Sequence, residues 1–147
     1  MRKCSKIGDI AMLELAVVVE GFWADYTRTY IVGEGSQKQR KIIKLIEEIK
    51  KTIEKKVYAG MKSYEVFLMC QKMIKNMGFG RYFKQSCVGH GIGFSYHEPI
   101  PYLSYDNKTI LQPGMVFTIE PGVYINEFGG VRSEDNVCLT TDKVNIL

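Results

Sequence analysis

No apolar run in this chain approaches the roughly 20 residues that a membrane-spanning helix needs, so a membrane partner is not expected. Cysteine is scarce and scattered: Cys4, Cys70, Cys87 and Cys138 form no CxxC pair, which argues against a zinc knuckle or a disulfide framework. All four are expected as free thiols. The start, MRKCSKIGD, is basic but has no apolar segment behind it, so no signal peptide is read and a cytoplasmic location is expected. Internal repeats, low-complexity tracts and linkers are missing, and 147 residues suit one domain, 1–147, with a real hydrophobic core. The net charge of +4 comes largely from SQKQRKIIKLIEEIKKTIEKK, where glutamates mix with the lysines. Aromatics do not interleave there and the charges follow a helical pattern, so the segment reads as a solvated helix rather than a nucleic-acid face.

Histidine is rarer still. The chain has two, His90 and His97, both inside GHGIGFSYHEPIPY. Glycines at 89, 91 and 93 suit a backbone that kinks or comes close to another chain segment. The histidines are seven residues apart, which puts them on opposite faces of a regular strand. They can serve one site only if the chain between them bends.

The first third reads as a hairpin, IAMLELAVVV and FWADYTRTYIV about Glu20-Gly21, rich in β-branched and aromatic residues. A tight turn of two or four residues gives paired positions an odd sum, which places Glu14 and Asp25 on one face. Leu13, Leu15, Val17, Trp23 and Tyr26 beside them predict a mostly buried hairpin. A helix is predicted after N-cap Ser36, with Ile42, Leu45, Ile46, Ile49, Ile53 and Val57 as an apolar stripe opposite the lysines. A second is predicted over Ser63 to Asn76, with Val66, Cys70, Met73, Ile74 and Met77 inward and Gly78 as its stop. Strands return in MVFTIE, aligning Val116, Thr118 and Glu120, and in VRSEDNVCLT, aligning Arg132, Glu134, Asn136 and Cys138. Pro121-Gly122 and Gly129-Gly130 are the turn points between them.

Several polar groups sit oddly in these apolar strands: Glu14, Asp25, His90, Glu120 and Glu134, with His97 and Arg132 near two of them in sequence. Four carboxylates cannot converge unneutralised. Oxygen donors with one imidazole suit a pair of divalent cations, and manganese, cobalt, iron and zinc all satisfy that donor set.

ADYTRT, GHGIGFSYHEP, LQPGMVFTIEPGVYI and GGVRSEDNVCLT, in that order, resemble the signature blocks of the pita-bread metallopeptidases. EPGVYI followed by GGVRSED is more similar to the aminopeptidase P and prolidase branch than to methionine aminopeptidase. The resemblance implies an α+β pita-bread fold, a curved antiparallel sheet with helices on its outer face. It implies that Asp25 and Glu134 bridge two metal ions, that Glu14 ligates the first, and that His90 and Glu120 complete the second. His97 would touch the substrate, hydrogen-bonding the scissile carbonyl or its tetrahedral intermediate, and Arg132 would hold the bridging carboxylates. Such a centre cleaves by a metal-bridging hydroxide, with Glu120 moving the proton. The bond cut would be the N-terminal one of a short peptide, Xaa-Pro in this branch.

The sequence departs from that pattern at three points. Glu14 stands where most such enzymes carry aspartate, which bears on how the first ion is held. Ser86 stands four residues before His90, where a further histidine usually helps hold the substrate, which bears on proline preference. The chain also starts almost at the strand bearing Glu14, so it corresponds to the C-terminal portion of the family's catalytic domain, with exposed apolar surface as the expected sign. Either a homodimer supplies the missing cover, or the chain is a minimal form of reduced stability. The rival reading is a non-catalytic pita-bread module that binds peptides or protein partners.

Overall fold

Period-2 alternation carries the first two strands of the computed structural model, which describes residues 4–147. β1 (Ile10–Val19) and β2 (Phe22–Ile31) pair antiparallel across a two-residue turn, Glu20 at φ 51° and Gly21 at φ 88°. Both φ values are left-handed, as a type I′ hairpin turn requires. Glu14 pairs with Thr27 and Ala16 with Asp25, so the sums are odd and Glu14 shares a face with Asp25 as expected. The hairpin is not mostly buried, however. Leu15 is 63% and Val17 50% exposed, while Asp25 and Thr27 on β2 are buried. β2 lies against the strand that follows Glu134, whereas β1 is the ribbon's outer strand and little among the described residues covers it.

The helices form as their caps direct. α1 (Gln37–Lys56) opens on a capping box in which Ser36 Oγ accepts from the Gln39 N–H and the Gln39 side chain returns to Ser36 N–H. α2 (Ser63–Asn76) is followed by Gly78 at φ 84°. Ile42, Leu45, Ile46, Ile49 and Ile53 are buried, each contributing about 1.5–3 kcal/mol. The stripe also contains Lys50, 1% exposed, and Glu54, so the charged residues of α1 do not all lie opposite it. On α2, Val66, Cys70 and Ile74 point inward as expected. Phe67 joins them, and Met77 is 52% exposed instead, because it caps the helix rather than continuing its inner face.

The main sheet has five antiparallel strands in the order β4-β3-β5-β8-β9, with β3 Cys87–Gly91, β4 Glu98–Ser104, β5 Val116–Ile119, β8 Asp135–Leu139 and β9 Val144–Ile146. β6 (Gly122–Ile125) and β7 (Gly129–Arg132) form a separate hairpin. Its turn is residues 126–128, with Glu127 at φ 62°; Gly129 and Gly130 open β7 instead of making the turn. Phe117, Ile119, Val137 and Leu139 join the helix residues in one core. No helix among the described residues is long and apolar enough to cross a membrane. Among those residues the four cysteines are free, as expected; Cys87 is half-buried and burial pushes its thiol up.

Candidate metal centre

Separate segments of chain deliver their side chains to one point. Asp25 from β2, His90 from β3 and Glu134 from just before β8 offer ligand atoms that all lie within 4.8 Å of one another, and all are buried. Glu120, just past β5, brings Oε1 to 3.7 Å from His90 Nε2, and Asp25 Oδ2 is 3.8 Å from the same nitrogen.

The backbone sets these positions. Asp25 N–H donates to Asn136 Oδ1 at 3.3 Å, Glu134 N–H to Thr27 O at 3.0 Å, Glu120 N–H to Val88 O at 2.9 Å and His90 N–H to Thr118 Oγ1 at 3.1 Å. His90 Nδ1 lies 3.0 Å from Gly91 O, which suits the tautomer that donates there and leaves Nε2 free to accept a cation. A Cβ on Gly89 would fall 2.0 Å from Thr118 O, and one on Gly91 2.4 Å from Ile100 O. Close approach therefore accounts for both glycines, and the bend that follows brings the His90 and His97 ring centroids to 4.1 Å.

Burial, followed by the charges of Glu134 and Asp25, pushes the Glu120 carboxyl up to about 8. Burial also raises Glu134 to about 7 against the Thr27 hydroxyl that donates to it, and holds His90 below its usual value. Within this group, Asp25 Oδ1 and Glu134 Oε1 are buried and have no hydrogen-bond partner among the described residues. An orphaned buried acceptor costs about 1–3 kcal/mol, more when charged. A divalent cation removes that cost, and three carboxylates with one imidazole are a donor set it accepts. The residues present fit a metal.

At the rim, Arg132 reaches the Glu14 carboxylate, and its Nε donates to Thr27 Oγ1 at 3.2 Å and stands 4.0 Å from Glu120 Oε2. Tyr96 OH donates to Glu14 Oε1 at 3.0 Å. Glu14 thus shares the Asp25 face but is held by Arg132 and Tyr96, half exposed, outside the trio of Asp25, His90 and Glu134. Ser86 lines a shallow hollow with Tyr102, and Tyr102 lies opposite His90 in the strand register.

The sequence reading did not single out Tyr96 or Thr27. Thr27 carried a signal, since it lies two residues past Asp25 on the same face. Tyr96 carried none, because it stands in an irregular loop where no period applies.

Residues 2–141 match the metallopeptidase family M24. A Xaa-Pro dipeptidase of Pyrococcus furiosus is 40% identical over 133 residues, which are 90% of this chain and 38% of that protein. The solved prolidase of Pyrococcus furiosus matches with a TM-score of 0.89 at 38% identity, over 95% of this chain and 41% of its own. The prolidase of Pyrococcus horikoshii OT3 matches with a TM-score of 0.92 at 35% identity, over 98% and 41%. This chain therefore spans about two fifths of the length of these relatives. Within that span the order of strands and helices is that of the α+β pita-bread fold, and the chain belongs to metallopeptidase family M24, where it is similar to prolidases.

Proposed function

We propose that this chain provides the metal-dependent centre of a peptidase that removes the N-terminal residue of short peptides, with Xaa-Pro bonds as its substrates. The observation that supports it most is the buried group of Asp25, His90 and Glu134 with two partnerless carboxylate oxygens. In this reading Asp25, His90, Glu120 and Glu134, together with Glu14, would hold two divalent ions. Glu14 would have to exchange Arg132 and Tyr96 for an ion, so its part in holding the metal would be the weaker one. Manganese, cobalt, zinc and iron all suit the donors.

When bound, such ions polarise a peptide carbonyl and acidify the attacking water. Glu120, whose Oε1 stands 3.7 Å from His90 Nε2 at the mouth of the group, takes up the water's proton and delivers it to the leaving amine. His97, at the rim beside His90, donates to the oxygen on which negative charge develops. Arg132 donates to Thr27 Oγ1 and stands 4.0 Å from Glu120 Oε2, so it keeps a positive charge beside Glu120 after Glu14 has turned away from it. The activity printed for the longer relatives comes to this chain only as part of the proposal, as does assembly into a homodimer.

Product analysis tests it. Chain loaded with manganese or cobalt is incubated with an Xaa-Pro dipeptide and with its Xaa-Ala counterpart, and the free amino acids are separated. Free proline, released faster than alanine, is expected. Release of neither amino acid by folded, metal-loaded protein contradicts the reading.

A further inference from the structure

Adjacent carboxylates, Glu134 and Asp135, stand where the metal centre needs one. Successive strand side chains point to opposite faces, so a slip of one residue would turn Asp135 into the centre and Glu134 toward α1. Asp135 pairs with Ile119 across β5 and β8, and its side chain faces the helix. Two cations from different elements hold it there. Lys50 Nζ from α1 binds Oδ2 and Arg28 from β2 binds Oδ1.

The surroundings tighten this grip. Arg28 also donates to the backbone carbonyls of Thr27, at 2.9 Å, and Glu134. Lys50 Nζ lies 3.4 Å from Glu47 Oε2, which accepts from the Ser133 hydroxyl. Residues 133–135 are thus anchored from the side opposite the centre. Lys50 is 1% exposed, in a stripe that apart from it and Glu54 is apolar. A buried ammonium costs several kcal/mol before pairing, and similar apolar packing would avoid that cost. Fixing a register is the best-attested use of such a buried charge.

We propose that Lys50 is a positioning residue that, with Arg28, reserves Asp135 for the helix side and so keeps Glu134 as the carboxylate facing the metal. The inference rests on the metal reading given above. It makes Lys50 act through Asp135 and β8, with no contact to Asp25, His90 or Glu134 required.

Cobalt titration, followed by the visible d–d spectrum and by affinity, tests it in the folded chain below its melting temperature. Lys50→Met weakens cobalt binding about 10-fold or more and changes the spectrum, as loss of a supporting contact around a metal site does. Adding Asp135→Asn removes the competing carboxylate and returns the affinity to within about 3-fold of the parent, a recovery that a role in packing alone would not give. Where Lys50→Met does not fold, Lys50→Gln, which keeps a neutral donor, is read by the same two criteria. Parental affinity and spectrum in the Lys50 variant overturn the proposal, and so does a loss that Asp135→Asn leaves uncorrected. A parent that binds no cobalt overturns the metal reading itself, which keeps the two failures distinct.

Discussion

The ring centroids of His90 and His97 lie 4.1 Å apart, yet their surroundings differ. His90 is buried, donates from Nδ1 to Gly91 and turns Nε2 toward Asp25 and Glu120; His97 stands at the rim against Tyr96. His90→Ala is expected to abolish tight metal binding. His97→Ala is expected to leave metal content nearly unchanged while turnover falls about 100-fold, as loss of an oxyanion donor does. Metal analysis beside kinetics checks both, and metal loss in the His97 variant would reverse the assignment. At this scale the sequence was informative because the glycines flag the bend and the period-2 pattern puts Glu14 beside Asp25. It did not show that Glu14 is held by Arg132 and Tyr96, because those contacts join residues 82 or more positions apart.

Helix α1 was legible as a helix, cap and stripe included, but not in its buried charges. Lys50 and Glu54 look like solvated residues until Asp135, 85 positions on from Lys50, is folded against them. Burial pushes the Glu54 carboxyl from 4.5 to about 7; Lys50 opposes the shift, while Asp135 and Glu47 add to it. Between those values the folded chain binds more protons than the unfolded one. The stabilising effect of protonated Glu54 is therefore full below about 4.5 and is lost as pH rises through about 7. Glu54→Gln should remove a fall in stability on the order of 1–3 kcal/mol across that window. Urea unfolding at about pH 4.5 and about pH 7.5, roughly the two ends of the window, measures it; an equal fall in parent and variant would place the titration elsewhere.

Across the described residues, one apolar face stands exposed. Leu13, Leu15, Val17, Val19 and Phe22 are each at least half exposed on one side of the β1–β2 ribbon, in a chain that spans about two fifths of its relatives. An apolar outer strand invites pairing. The chain is expected to self-associate as its concentration rises. Leu15→Lys with Val17→Lys should hold it monomeric in sedimentation while changing unfolding free energy by only about 0.5 kcal/mol. Association unchanged in that variant would remove the ribbon as its cause. The sequence signalled exposed apolar surface through its resemblance to longer proteins. It misjudged the hairpin as buried, because alternation shows which residues share a face but not whether anything covers it.

The claim that Asp25, His90, Glu120 and Glu134 form a working metal centre is tested most directly by one co-titration. Chelator-stripped protein receives manganese in steps while bound metal per chain and hydrolysis of an Xaa-Pro dipeptide are read from the same samples. Hydrolysis should be absent at the start and rise as the metal sites fill. Hydrolysis that persists in the stripped protein, or folded protein that takes up no metal, would contradict it.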